Sequence, residues 1–257
     1  VKALEKEGFK ATYLTVDKDG LVDPTELAES ITDDTILVSV MMANNEVGTL
    51  QPIKELCSIA KEKGVYFHTD AVQAVGNIPI DVKALNVYLL SLAGHKIYGP
   101  KGVGALYIRK GTKISKITYG GGQEKKVRPG TENIPGIVGL GKAIELATAD
   151  IPGKAAYLKS LRDKLINELL KIKDVKLNGH REKRLPGNVN ISFEYVEGES
   201  LLLSLDMKGI AASSGSACTS GSLDPSHVLM AMGLPHQTAH GSLRLSLGKN
   251  NTEEDVD

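Results

Sequence analysis

Four short stretches of the chain carry the side chains whose types and spacing could do chemistry. In Ser91-Leu92-Ala93-Gly94-His95-Lys96-Ile97-Tyr98-Gly99-Pro100-Lys101-Gly102 an apolar run ends in small residues and a lysine follows at once. A lysine so placed can form a Schiff base, because burial lowers its pKa and favours the neutral amine. Gly94, Gly99 and Gly102 thin the backbone around it, which suits close approach of a ligand. A lone lysine after a strand is otherwise a surface cation. In His68-Thr69-Asp70-Ala71-Val72-Gln73 an aspartate closes a second apolar run, at the strand end where open α/β sheets place ligands. A carboxylate there can keep a pyridine nitrogen protonated and make such a ring an electron sink, or it can simply cap the next helix. Asn44-Asn45-Glu46-Val47-Gly48 follows a third run and on its own reads as a turn. Cys218 lies in Ser213-Ser214-Gly215-Ser216-Ala217-Cys218-Thr219-Ser220-Gly221, among small polar residues where a loop can bring a thiol to a substrate. The other cysteine, Cys57, sits in a helical pattern and reads as a small buried hydrophobe.

These groups need a scaffold to hold them. Residues 35–42 read as a buried strand, 65–68 and 87–92 as the next two, and 104–109 as a further one, hairpin-linked or antiparallel. Pro52 opens a helix that runs to about Lys63, and Gly64 ends it. Strand, helix, strand in this rhythm predicts an α/β sheet with helices on its faces. Residues 133–173 turn helical with a break near Ile151-Pro152-Gly153, where proline and glycine interrupt the pattern. That break divides a large domain, 1–150, from a smaller α+β domain, 151–257. The smaller unit reads as a helix, a strand at 187–194, a helix at 199–208 and the Cys218 segment, then a helix from Pro225 and a strand at 242–247. Val196-Glu197-Gly198-Glu199-Ser200 starts a helix rather than doing chemistry.

The bulk numbers set limits on function. A chain of 257 residues can bury one large core or two modest ones, and its 41% apolar and 24% charged shares are those of a globular protein. Lys and Arg number 31, as do Asp and Glu, so no basic excess points to nucleic acid and no acidic run to a disordered tail. No apolar stretch approaches the roughly 18 residues of a membrane helix. Residues 1–10 are charged and amphipathic, unlike a signal peptide, and no initiator Met precedes them. Two cysteines in such different surroundings fit a reducing, cytoplasmic setting with one reactive thiol.

Taken in order, Asn-Asn-Glu-x-Gly, His-x-Asp-x-x-Gln, Gly-His-Lys and Tyr-Gly-Pro-Lys-Gly resemble the class V aminotransferase group, specifically its cysteine desulfurase branch. The resemblance covers essentially the whole chain and implies a fold-type I enzyme. Its mostly parallel large domain would bind pyridoxal 5′-phosphate, and a smaller C-terminal domain would carry the cysteine. It implies Lys96 as the Schiff-base lysine, Asp70 as partner of the pyridinium nitrogen, Gln73 near the phenolic oxygen and His95 near the phosphate. Asn45 would lie between ring and substrate carboxylate, and Arg244, in Gly241-Ser242-Leu243-Arg244-Leu245-Ser246, would bind that carboxylate as a bidentate partner. Gly120-Gly121-Gly122-Gln123-Glu124 and Arg128-Pro129-Gly130-Thr131-Glu132-Asn133 resemble two further family segments. Thr131 there implies a homodimer, because the family's threonine reaches the partner subunit's phosphate. Cys218, with Leu223-Asp224-Pro225-Ser226-His227-Val228-Leu229 after it, resembles the long-loop group, in which the cysteine takes sulfur from L-cysteine and leaves L-alanine. The persulfide would go to an iron–sulfur scaffold protein or to another acceptor serving thiolated tRNA or thiamine.

Three departures stand against the pattern. The family's N-terminal portion, with a Gly-Ala-Thr-Glu-type helix start for the phosphate and a histidine that stacks on the ring, has no counterpart in these residues. Ala93 replaces a serine usual three residues before the lysine; a lost charge-assisted hydrogen bond costs about 1.5–3 kcal/mol. Tyr88 stands where an aspartate is common. The competing readings are an inactive truncated relative and another class V enzyme, a selenocysteine lyase or an aminotransferase. A transaminase, however, has no use for Cys218.

Overall fold

The computed structural model describes residues 1–214 and 225–257, in which two sheets form. Two short helices, α1 (Lys2–Glu5) and α2 (Pro24–Ser30), come first. Asp23 caps α2 by accepting from Thr25 N at 2.8 Å, and Pro24 fills the first helical position. The first sheet sets β1 (Leu37–Ser39), β2 (Tyr66–Asp70), β3 (Leu89–Ala93) and β4 (Gly104–Ile108) side by side. β1, β2 and β3 run parallel and β4 antiparallel to β3, so the sheet is mostly parallel as expected.

The crossover between β1 and β2 is α3 (Ile53–Glu62), and α4 (Val82–Leu85) lies between β2 and β3. α3 buries Ile53, Leu56, Cys57 and Ala60, one helical stripe, in the core that holds Val38, Phe67, Val87 and Leu90. Cys57 is fully buried and donates to Asn86 O at 3.1 Å. Burial pushes this thiol's pKa up, against the opposing charges of Arg109 and Lys61. Pro52 turns out to be the residue before the helix rather than its first member, and Gly64 ends it in the left-handed region at φ 74°.

The expectation of a strand buried on both faces is corrected at β1. Val38 is buried, but Leu37 is 46% exposed and Ile36 67%. One sheet face packs on α3, while the other carries exposed Leu37 and Ser39 beside half-buried His68 and Asp70. The regular strand is also short, although Val40 and Met42 still donate to the β2 carbonyls of His68 and Asp70 at 3.1 and 2.7 Å.

Tyr88 gains a physical account. Its ring lies 5.1 Å from that of Tyr66, and the Arg109 guanidinium sits 4.8 Å over it. Arg109 also donates to Asn86 Oδ1 at 2.5 Å. An aromatic face thus holds the arginine where a carboxylate would otherwise pair with it.

The chain then runs through α5 (Ile134–Thr148) and α6 (Ile151–Leu169) into the second sheet. Pro152 and Gly153 do not interrupt the helical pattern as expected; they make the first turn of α6. Asp150 caps that turn, accepting from Gly153 N at 2.9 Å, and the break falls one residue earlier. β5 (Val175–Leu177), β6 (Asn188–Phe193), α7 (Gly198–Asp206), α8 (His227–Ala231), α9 (His236–His240) and β7 (Ser242–Ser246) complete the chain. The strands order β5-β6-β7, all antiparallel, and β6 packs Val189 and Ile191 against Ile166 of α6. Glu197 caps α7 through Glu199 N and Ser200 N, which confirms a helix start there. α8 begins at His227, two residues later than expected, with Ser226 as its N-cap, and β5 is too short to show in the sequence.

Candidate active site

The segments at the C-terminal ends of β1, β2 and β3 meet at one edge of the first sheet, the edge at which α/β sheets hold ligands. After β1 comes the turn at residues 44–48. Asn44 builds it: its Oδ1 accepts from Glu46 N at 2.8 Å and Val47 N at 3.0 Å, and Gly48 N returns to Asn44 O at 3.0 Å. Gly48 is required, since its φ is 77° and a Cβ there would come within 2.5 Å of Asn188 Oδ1. Asn45 is half-buried, and its carbonyl accepts from Arg244 Nη1 at 3.0 Å. The structure thus brings Asn45 and Arg244 together from opposite ends of the chain.

Asp70 closes β2, half-buried, with Oδ1 accepting from Val72 N at 2.9 Å. No regular helix follows, so the helix-cap role reduces to this one bond, and Oδ2 has no hydrogen-bond partner among the described residues. Gln73 stands in the turn beyond, half-buried, where its carbonyl accepts from Asn77 Nδ2 at 3.0 Å.

β3 runs directly into a 3₁₀ turn, Gly94–Ile97, that carries His95 and Lys96. Both are exposed, so the expected burial of the lysine is not found: no described segment covers it. Gly94 and Gly99 also act differently from the expectation, whereas Gly102 leaves open space beside its backbone. A Cβ on Gly94 would sit 3.0 Å from Pro100 O, and one on Gly99 would sit 2.9 Å from both Gly94 O and the Ala143 Cβ. They serve close packing of the turn on its own loop and on α5, not an opening for a ligand. Tyr98 takes a left-handed φ of 62°, its hydroxyl accepting from Lys249 N at 3.1 Å with Lys249 Nζ 4.7 Å over the ring. The lysine turn is thereby tied to the chain just past β7.

Thr131 is exposed on the loop before α5, and no hydrogen bond joins it to the other candidates among the described residues. Cys218 lies outside the described residues, but both flanks of residues 215–224 are fixed at the Asn45 turn. Ser213 exchanges backbone bonds with Arg244, at 2.6 and 3.1 Å. Ser226 Oγ donates to the carboxylate of Glu46, which is only 2% exposed.

Several residues that hold this site were not singled out in the sequence. Asn188 and Asn190 of β6 each donate to Glu46 O at 3.1 Å, and Arg184, buried, donates to Val47 O at 2.8 Å. Burial, with Arg162 and Arg181 nearby, brings the Arg184 pKa down to about 10. The signal in the sequence was Asn-x-Asn-x-Ser alternating within an apolar strand. His68, two residues before Asp70, sits between hydroxyls: Nδ1 is 2.8 Å from Ser39 Oγ and Nε2 is 2.9 Å from Ser91 Oγ. Burial pushes its pKa down, opposed by the charge of Asp70.

The donor set at this edge is a primary amine, a carboxylate with one free oxygen, an amide, and a guanidinium whose buried Nε has no partner among the described residues. Such a set fits a cofactor with a carbonyl, a ring nitrogen and an anionic substrate attached. Among the described residues no group of three or more His, Cys, Asp or Glu could hold a metal ion, and no helix is long and apolar enough to cross a membrane.

Comparison with known proteins gives the same answer from another direction. Residues 1–257 match the family described as aminotransferase class-V. A relative from Methanosarcina thermophila named cysteine desulfurase IscS is 65% identical over 254 residues, 99% of this chain and 63% of its own length. A second of that name, from Clostridium botulinum, is 62% identical over 257 residues, 99% of this chain and 65% of its own length. The chain therefore spans somewhat less than two thirds of these relatives. The solved structure of a NifS-like protein superposes with a TM-score of 0.92 at 41% identity, over 100% of this chain and 67% of that one.

Proposed function

Since the chain belongs to the aminotransferase class-V family, we propose that it works as a pyridoxal-phosphate-dependent cysteine desulfurase, with Cys218 as the sulfur-accepting nucleophile. The observation that carries this reading is the joining of Asn45, Arg244 and both flanks of the Cys218 segment at one turn beside the ends of β2 and β3. The names of the 65% and 62% identical relatives support it. In this reading residues 1–150 hold the cofactor and residues 151–257 form a smaller unit bearing the cysteine.

Pyridoxal phosphate supplies, when bound, an electron sink for charge at the substrate α-carbon. Lys96 would hold its carbonyl carbon and, once freed by the incoming L-cysteine, move the proton at the substrate α-carbon. The unengaged Asp70 Oδ2 would keep the ring nitrogen protonated, with Gln73 at the phenolic oxygen and His95 at the phosphate. Arg244 would hold the substrate carboxylate beside Asn45, its guanidinium already aimed by the bond to Asn45 O. Cys218 as thiolate would attack the substrate sulfur. An S–S bond forms, the carbon–sulfur bond breaks with its electron pair going to carbon, and a proton delivered there completes L-alanine. The persulfide on Cys218 would pass to an iron–sulfur scaffold protein or another sulfur acceptor. A second copy of the chain would bring Thr131 to the phosphate, and a cytoplasmic setting would keep the thiol reduced.

The test is a visible spectrum of the purified protein with pyridoxal phosphate, followed by L-cysteine and a sulfide assay. The expected result is a band that shifts on adding cysteine, is absent in Lys96→Ala, and persists in Cys218→Ala while sulfide release is lost. A band that persists unchanged in Lys96→Ala, or sulfide release retained in Cys218→Ala, overturns the assignment.

A further inference from the structure

We propose that His68 is a positioning residue for Asp70, acting through a hydroxyl–imidazole–hydroxyl bridge that spans three adjacent strands. The inference rests on the reading of Asp70 as partner of the cofactor's ring nitrogen. His68 and Asp70 lie two apart on β2 and so share one face of the sheet. The ring of His68 reaches sideways in both directions, to Ser39 on β1 at 2.8 Å and to Ser91 on β3 at 2.9 Å. Ser91 is in turn the register partner of Asp70, and its carbonyl accepts from Ala71 N at 2.9 Å. The residue that fixes the backbone just beyond Asp70 is therefore itself fixed by the imidazole.

The chemistry of the bridge suits this task. Each serine hydroxyl can donate or accept, so a neutral imidazole, with one N–H and one bare nitrogen, finds both of its bonds satisfied. No second fixed charge is placed beside Asp70, so its carboxylate remains available to a ring nitrogen rather than to a neighbouring cation. Serine hydroxyls on exposed strand faces usually turn to water. Here two of them, 52 residues apart by number (91 − 39), converge on one ring. Neither a helix cap nor a core contact requires His68: α3 packs on the opposite face, through Phe67.

The experiment compares His68→Phe, which keeps a ring but loses both bonds, with His68→Gln, which keeps one donor and one acceptor. Apoprotein is titrated with pyridoxal phosphate for affinity and band position, and kcat and KM for L-cysteine are measured on the loaded protein. Losing the bridge is expected to weaken cofactor affinity about tenfold, the size of roughly one hydrogen bond. The visible band should shift and kcat should fall, with KM within about twofold of wild type. His68→Gln should recover most of the affinity and the band position. Affinity and band unchanged in His68→Phe overturn the proposal, as does a loss that His68→Gln fails to restore and that follows only the melting temperature of the apoprotein. If His68→Phe does not fold, Ser39→Ala and Ser91→Ala each remove one arm; affinity unchanged in both overturns it equally. Asp70→Ala separates the two readings. If it weakens cofactor binding while His68→Phe does not, the inference alone falls; if it leaves binding intact, the site reading falls first.

Discussion

β2 and β6 are each an inner strand of their sheet, and each carries polar side chains at alternate positions, yet the two use them in opposite ways. In β6 the polar groups are consumed by the fold. Asn190 donates to Glu46 O and accepts from Asn178 Nδ2 at 2.7 Å, and Ser192 accepts from the same amide at 2.8 Å. Asn188 donates to Glu46 O as well and accepts from Arg184 at 3.4 Å. In β2, Asp70 keeps one carboxylate oxygen without a partner among the described residues, on a sheet face that opens toward the lysine turn. Alternating polar residues in a strand therefore do not mark a site by themselves; the unspent hydrogen-bonding capacity does.

That contrast can be broken by mutation. Asn190→Leu should be the most damaging change, because it leaves one N–H of the Asn178 amide without an acceptor and Glu46 O with a single donor in the interior. A buried donor left unpaired costs about 1–3 kcal/mol and a lost bond about 0.5–1.5 kcal/mol, so a loss of roughly 2–4 kcal/mol is expected in urea unfolding. A loss below about 1 kcal/mol would show that β6 does not need its polar row. Asp70→Ala should do the reverse. Sulfide production should fall at least about a hundredfold, while stability changes by under about 1 kcal/mol, since only the bond from Val72 N is lost.

A smaller effect is expected at Tyr88. Tyr88→Asp exchanges a cation–π contact with Arg109 for an ion pair, two interactions of about 0.5–1 kcal/mol. The variant also loses the Tyr66 ring contact, worth about 0.5–1.5 kcal/mol, so its urea midpoint should lie slightly below wild type at low salt, and it alone should lose further stability as salt is raised. Equal salt responses would mean that Arg109 does not follow the substitution.

The smallest effect is a matter of pH. The His68 pKa is depressed in the folded protein because burial opposes its charge. The unfolded chain therefore takes up this proton first, and the stability held by the neutral ring is lost as pH falls through about 6.5 toward the lower folded value. Unfolding midpoints at about pH 7.5 and 5.5 should differ more for wild type than for His68→Gln. A variant as acid-sensitive as wild type would assign the loss to other groups.

Periodicity and local chemistry made much of this legible. The amphipathic stripe of residues 53–60 placed α3 and buried Cys57, because the 3.6-residue repeat of apolar side chains leaves the helix one face to bury. Gly64 and Glu197 marked a helix end and a helix start, because those roles depend on one residue's own backbone freedom or side-chain reach. The ordered motifs around Asn45, Asp70 and Lys96 named the family that the whole chain matches. The break before α6 was visible but misattributed, since proline and glycine suit a first helical turn as well as an interruption.

Other features depend on contacts that no local pattern encodes. The meeting of Arg244 with Asn45, 199 positions apart, is set by how β7 lies against the turn after β1. The burial of Glu46 against Ser226 and the bridging of β1 and β3 by His68 likewise need strand order and register, and register decides which side chains share a face. Exposure of Lys96 and Leu37 is decided by which elements cover each sheet face, a property of the packed layers and not of either residue's neighbours in sequence. Sequence by itself determined which groups could react. Tertiary structure alone decided which of them still have hydrogen bonds to give, because that depends on what the rest of the chain has already used.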